Sequence, residues 1–534
     1  MSSSRRNIVL ILCDTLRPDF LHAYGAEPFI PTPNIDALAQ NGAVFDNAVT
    51  ASTVCGPSRA CMATGCAVSG HDSWTNNIPP RAGMEFFPER LDRAGYMTAA
   101  VGCYDHAPFG ASIGYQYLYR FDENRPDSEY LAYLQSKYPE CRSAYEHADG
   151  DSLHFKYPEE DHYERWSCDR ATDFIRSYTK TGEVPDKNHL TGNGEAKPGA
   201  PFFLYLGFLS PHAPYLPPKE MSGRVIPAAL PAIRTTKRDL DMPAVERNRR
   251  AFLNPPNALT DPESVFPARQ RERLAYCEMI CEVDDLVGRV VDCLKECGVY
   301  ENTTILFSSD HGSMENDYNM STKGPYPYSP QLFVPLIMSN HPGLRGHKDC
   351  LCGLIDVGAT VLSIAGDEKK FGVSRSLHGM ADGSVPERQT IMSEFCDSCK
   401  TIVDKRYTFT YYPFTGVTTL YDRGTDPEMD HNLGGKPEYA ALEHRYLTEV
   451  IDWLLLAKGV RIEAHDLVTD VKNGIEEKDP KFLETFDIAY PLSDWASVER
   501  IRAAGLDPDI NEFCRDYPIK AHYGVYFHKP KPEK

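Results

Sequence analysis

Asn7-Ile8-Val9-Leu10-Ile11-Leu12-Cys13-Asp14 is an unbroken apolar run that stops on a carboxylate. A strand with one wet face alternates polar and apolar side chains. A short continuous run of Ile, Val and Leu instead suits a strand covered on both faces, as in a parallel sheet. Similar runs follow at Met97 to Gly102, Phe202 to Phe208, Thr304 to Phe307 and Val334 to Met338. Helical patterns separate them. Pro33 to Gly42 suits a short helix closed by Asn-Gly. From Arg271 to Cys297, the residues Leu274, Cys277, Ile280, Val283, Val287, Val290 and Leu294 form one stripe at helical spacing. Strands alternating with helices predict an α/β fold, a large mixed but mostly parallel sheet flanked by helices. Ligands of such sheets sit beyond the carboxyl ends of the strands, so Asp14 is the first candidate site residue.

Outward from this frame, the polar and aromatic segment 122–197 and the Pro- and Arg-rich segment 219–261 read as insertions over the sheet edge. After residue 395 the pattern changes. Lys405 to Tyr412 and Val417 to Tyr421 read as antiparallel strands, and Tyr439 to Lys458 as a helix. The expected division is a catalytic domain over residues 1–395 and a smaller C-terminal α+β domain over 396–534, with a mixed tail after Val460.

The chain has 534 residues, 42% hydrophobic and 25% charged, the balance of a globular protein. A net charge of -20 argues against nucleic acid or an anionic membrane as a general partner, since both need a basic face. It also means that an anionic substrate must be drawn in by local positive charge or by a metal. The apolar run Ile8 to Cys13 is too short for the core of a signal peptide, so the expected location is the cytoplasm, with most of the sixteen cysteines reduced. Cys396/Cys399 and Cys350/Cys352 have no second pair at zinc-ribbon spacing and read as plain thiols.

The chemistry centres on Thr53-Val54-Cys55-Gly56-Pro57-Ser58-Arg59-Ala60-Cys61-Met62-Ala63-Thr64-Gly65. A cysteine, a turn-setting proline and an arginine lead into small residues that can begin a helix. That arrangement presents a reactive atom at a helix N-terminus, where backbone N–H groups favour anions. Three further positions follow predicted strands: Asp14, His212 after Phe208, and Asp310-His311-Gly312 after Phe307. Lys323 lies thirteen residues beyond Asp310. Singly, Asp14 could cap a helix and His212 could be an ordinary loop histidine. Together they mark one rim.

Cys55-Gly-Pro-Ser-Arg59 resembles the sulfatase signature, in which the cysteine is oxidised after translation to formylglycine. The resemblance extends through Asn7 to Asp19, Gly95 to Gly102, Pro201 to Pro214, Thr303 to Gly312 with Lys323, and Leu420-Tyr-Asp422 with Asp426 and Asn432. It implies a sulfatase within the alkaline-phosphatase-like superfamily. By that resemblance Asp14, Asp310, His311 and the hydrated aldehyde at 55 would hold one divalent cation. Mostly oxygen ligation makes Ca²⁺ the first expectation. The family often has Asn at the position of His311 and a second acid at that of Thr15, which leaves Mg²⁺, Mn²⁺ and Zn²⁺ open. One hydroxyl of the geminal diol would attack sulfur, and the other would expel sulfate without an attacking water. Arg59 would hold the hydrate and its metal surroundings, while Lys323 and His212 would contact the sulfate and leaving oxygens.

The chain departs from the family after Gly102. Lys, an aromatic and His are common there; this chain reads Cys103-Tyr104-Asp105-His106. Either His106 takes the base role, or the site prefers a different ester, as in the related phosphonate monoester hydrolases. Tyr104, Asp105, Asn76 and Asn77 are the candidate substrate contacts. The expected partners are a small anionic sulfated substrate, a saccharide fragment first, and the maturation enzyme that generates formylglycine. A phosphonate monoester or phosphodiester hydrolase is the alternative, and a non-catalytic binding protein on the same scaffold is a third reading.

Overall fold

The computed structural model describes residues 5–26, 30–104, 111–121, 128–148, 153–191, 198–234, 243, 246, 266–413 and 415–457. Its main sheet has eight strands: β1 Asn7–Cys13, β2 Gly42–Val49, β3 Met97–Cys103, β4 Tyr117–Phe121, β5 Phe202–Gly207, β6 Thr303–Ser309, β7 Leu336–Ser339 and β8 Gly346–Gly353. They lie in the order β4-β3-β5-β1-β6-β7-β2-β8. β7 runs antiparallel to β6 and β2, and the other neighbouring pairs are parallel. The sheet is mixed and mostly parallel, as expected.

β1 is buried along its whole length, and its two faces feed different cores. Val9, Ile11 and Cys13 meet Phe174 and Ile175 of the helix Tyr163–Thr181 and Cys277, Ile280 and Val287 of the long helix Phe266–Glu296. Ile8, Leu10 and Leu12 meet Met62, Leu91 and Val361 on the opposite side. The pleat alternates side chains between faces, so one apolar run serves both layers. Each fully buried aliphatic side chain contributes about 1.5–3 kcal/mol. The sheet's middle is therefore a rigid platform for whatever follows its strands.

Some expectations are corrected. The segment 122–197 is not only an edge insertion: the helix Tyr163–Thr181 within it packs on the sheet and on the long helix. Its aromatic residues are core. The strand expected from Val334 begins at Leu336, because Pro335 has no N–H to give to a ladder and Val334 donates its own to Ala48. β2, β4 and β8 were not foreseen. Much of the segment 219–261 and all of the tail after Val460 lie outside the described residues.

A second sheet, antiparallel in the order β12-β11-β10-β9, consists of β9 Ile391–Phe395, β10 Cys399–Val403, β11 Tyr407–Tyr412 and β12 Val417–Asp422. The helix Ala440–Ala457 covers it with Tyr446, Val450 and Trp453. This sheet begins at Ile391, ahead of the boundary expected at 395. Fifteen cysteines lie among the described residues, and none of them is in a disulfide.

Candidate active site

Strand register assembles the site. β1 and β6 are neighbours with Cys13 paired to Ser309, so the next residue on each strand, Asp14 and Asp310, emerges beside the other. The Asp310 N–H donates to the Cys13 carbonyl at 3.1 Å. β5 flanks β1 on its other side and leads into His212.

Cys55 is the first residue of the helix Cys55–Thr64, after an extended Val54. The helix is buried throughout and stops at Gly65, whose φ of 65° is natural to glycine. Asn76 Oδ1 accepts the Gly56 N–H at 2.8 Å, satisfying a donor that the helix start would otherwise orphan. Ser58 donates its hydroxyl to the Asp310 carbonyl at 2.6 Å, which ties the helix to the end of β6.

Arg59, one turn after Cys55, is wholly buried and joins the two carboxylates. Its Nε donates to Asp310 Oδ2 at 3.0 Å and its Nη2 to Asp14 Oδ2 at 3.1 Å. Nη1 donates to the Cys103 carbonyl and to Tyr205 Oη, both at 2.9 Å. One oxygen of each aspartate is thus consumed, leaving the Oδ1 atoms for other work. The Thr15 and His311 N–H groups donate to Asp310 Oδ1 at 3.2 and 2.8 Å.

His311 Nδ1 lies 2.7 Å from the Gly312 carbonyl, which can only accept. The proton is therefore on Nδ1, and Nε2 keeps its lone pair. Nε2 lies 3.3 Å from Cys55 Sγ, and Asp14 Oδ1 lies 3.6 Å from that sulfur. Asp14, Cys55, Asp310 and His311 each present a donor atom, all within 4.8 Å of one another and all buried. Two ligands of one calcium ion at about 2.4 Å are at most about 4.8 Å apart, so this set fits a single divalent cation. Lys323 Nζ lies 2.7 Å from Cys55 Sγ, 3.3 Å from His311 Nε2 and 3.9 Å from Asp14 Oδ1. The two carboxylates are thus balanced by two cations, Arg59 and Lys323. A divalent ion would turn the centre positive against the chain's overall acidity.

Burial alone would raise the Asp14 carboxyl, but Lys323, His212, Arg59 and His311 together hold it well below the ordinary range. Burial lowers His212 to about 4, with Lys323 adding to the effect and Asp14 opposing it. Burial also lowers His311, so its imidazole stays neutral and able to ligate. Thr15 is strained: a β-branched residue at φ 66°, its buried hydroxyl without a hydrogen-bond partner.

Asp14, Cys55, Arg59, Asp310, His311 and Lys323 meet at one point, and His212 shares their field. Asn76 stands at the helix start, bonded to backbone. Asn77 is exposed, at φ 67°. Tyr104 is corrected to a core residue: its ring packs on Tyr115 and Tyr205, and its hydroxyl donates to the carbonyls of Ala111 and Ser112. Asp105 and His106 lie outside the described residues. Tyr205 and the Cys103 carbonyl, which fasten Arg59, were missed; both sit inside apolar strand runs that carry no polar signal.

The sulfatase family profile matches residues 6–367, more than half of the chain, and the chain belongs to the sulfatase family. It is a sulfuric ester hydrolase. The chain is 26% identical over 511 residues to the multifunctional alkaline phosphatase superfamily protein PehA of Trinickia caryophylli, covering 85% of this chain and 96% of that one. It is 27% identical over 483 residues to an arylsulfatase of Clostridium perfringens, covering 81% and 91%. The phosphonate monoester hydrolase of Agrobacterium radiobacter shares the fold, with a TM-score of 0.69 at 23% identity, covering 85% of this chain and 96% of that one.

Proposed function

We propose that this enzyme cleaves the sulfate ester, or N-sulfate, of a small organic or saccharide substrate, with residue 55 working as hydrated formylglycine beside one divalent cation. The observation that carries the reading is the four-donor group at Asp14, Cys55, Asp310 and His311, with Lys323 against the nucleophile's atom. Here Cys55 Sγ stands in for a hydroxyl oxygen of the aldehyde hydrate. A bound cation, Ca²⁺ first, would neutralise the ester's anionic oxygens and acidify a neighbouring hydroxyl. Asp14 and Asp310 would hold it through their Oδ1 atoms, the oxygens that Arg59 does not take, and Arg59 keeps both carboxylates aimed. Lys323 places an ammonium where it can meet the nucleophile and the sulfate oxygens. His212 is neutral at pH 7 and gains a proton as an anion arrives, which suits it to protonate the leaving oxygen. The free thiols among the described residues support a cytoplasmic enzyme, matured there by a formylglycine-generating partner.

A second reading, hydrolysis of phosphonate monoesters or phosphodiesters, is favoured by the nitrogen ligand at His311 and by the absence of a lysine at position 103. Rates on 4-nitrophenyl sulfate and on phenyl phosphonate esters, with the Cys55 peptide analysed by mass spectrometry, test both. Faster sulfate cleavage by the formylglycine form supports the proposal; a clear preference for phosphorus esters overturns it.

A further inference from the structure

Ser210 to Leu216 carry His212 away from β5, and one buried cluster grips both ends of the segment. Glu164, in the first turn of the helix Tyr163–Thr181, accepts the Ser210 N–H on Oε1. His162, the N-cap of that helix, lies with Nε2 3.0 Å from the Leu216 carbonyl. A carbonyl only accepts, so the proton is on Nε2 and the lone pair on Nδ1. That nitrogen faces Glu282 Oε1 of the long helix at 2.6 Å. A bare carboxylate against a lone pair at that separation is repulsive, so a second proton must be held between Glu282 and His162. His162, Glu164 and Glu282 are 0%, 1% and 1% exposed, and the chemistry described above uses none of them.

We propose that Glu164 and His162, backed by Glu282, are positioning residues that clamp the His212 loop, and that ionisation of Glu164 loosens the clamp as pH rises. A neutral Glu164 still offers its carbonyl oxygen to Ser210. An ionised one accepts that N–H more strongly, but its buried charge beside Glu282 is the larger effect, and opening the loop to water relieves it. The groups that face Glu164 are Glu282 on the long helix, His162 on its own helix and Ser210 on the loop, with Cys13 on β1. Glu159, Asp285, Arg165 and Glu220 surround Glu282. Burial, then Glu282, pushes the Glu164 carboxyl up to about 8.

The clamp is tested without substrate by hydrogen–deuterium exchange of the segment around residues 208–216, corrected for intrinsic exchange at each pH. The wild type should be most protected near pH 5, loosen steadily as pH rises and level off above about pH 8; Glu164→Ala should be loose throughout; Glu164→Gln should stay protected throughout. The activity arm rests on the sulfatase reading: Glu164→Ala should lower kcat at least about tenfold with a smaller change in KM, because a displaced His212 misplaces the proton donor. Glu164→Gln should restore kcat at pH 7 and remove the alkaline fall. Should Glu164→Ala fail to fold, the Gln variant decides alone. Unchanged exchange in the variants, or an alkaline fall that persists in Glu164→Gln, overturns the clamp. The expected exchange pattern without sulfatase activity sustains the clamp and counts against the proposed function.

Discussion

Arg59→Ala should unfold the metal-free enzyme far more easily, and a divalent cation should reverse much of the loss. The guanidinium is fully buried and donates to Asp310 Oδ2 at 3.0 Å, Asp14 Oδ2 at 3.1 Å, and the Cys103 carbonyl and Tyr205 Oη at 2.9 Å. Removing one partner of a buried ion pair costs about 3–5 kcal/mol. An orphaned buried carbonyl adds about 1–3 kcal/mol, and since the terms overlap the expected loss is about 4–6 kcal/mol. Against a total stability of about 5–15 kcal/mol this brings the variant close to unfolding. A cation at one hundred times its dissociation constant returns about 2.7 kcal/mol. Arg59→Lys keeps the charge but loses the fork, and should fall between. Acid sensitivity carries the same signature. The lowered native value of Asp14 gives stability that is complete above about pH 4, the unfolded value, and is lost as pH falls through the native one. Without Arg59 that loss should begin at higher pH. Urea unfolding at pH 5 and 7, in chelator and in excess Ca²⁺, measures all of this. A wild-type midpoint for Arg59→Ala in chelator would refute the reasoning.

Asn76→Ala should cost about 1–2 kcal/mol in urea unfolding and lower kcat more than KM, because Asn76 satisfies the donor next to Cys55; an unchanged kcat removes the positioning role. Thr15→Asp should tighten Ca²⁺ binding about tenfold by calorimetry, since it adds a carboxylate beside Asp310 at a left-handed position that Asp tolerates. Unchanged affinity would place that side chain out of reach. His212 sits at about 4 in the free enzyme and should rise when an anion binds, so sulfate binding at pH 6 should take up a proton. Calorimetry in buffers of different ionisation enthalpy reads this, and His212→Ala should abolish the uptake.

β1 was legible because its seven residues are buried on both faces, and an apolar run with no alternation has few other readings. Asp14, Asp310 and His212 were legible because strand ends can be counted from such runs. β2 was not, since Asp46 and Asn47 break its apolar pattern while its outer residues still pair with β7 and β8. The helix Tyr163–Thr181 hid behind a polar, aromatic composition whose buried face only tertiary packing reveals. Tyr104 was misread because a tyrosine beyond a strand end looks like a ligand contact until its ring is seen against Tyr115 and Tyr205. Arg59's hold on both aspartates depends on sheet order, which brings β1 and β6 together across almost 300 residues of chain.

The most direct measurement is a cation titration of the metal-free, formylglycine-bearing enzyme, with bound metal and sulfate ester turnover followed together. One ion per chain should restore turnover in the wild type, and Asp310→Asn should lose tight binding and turnover in parallel. Full turnover in the metal-free enzyme, or undiminished tight binding in Asp310→Asn, would contradict the account.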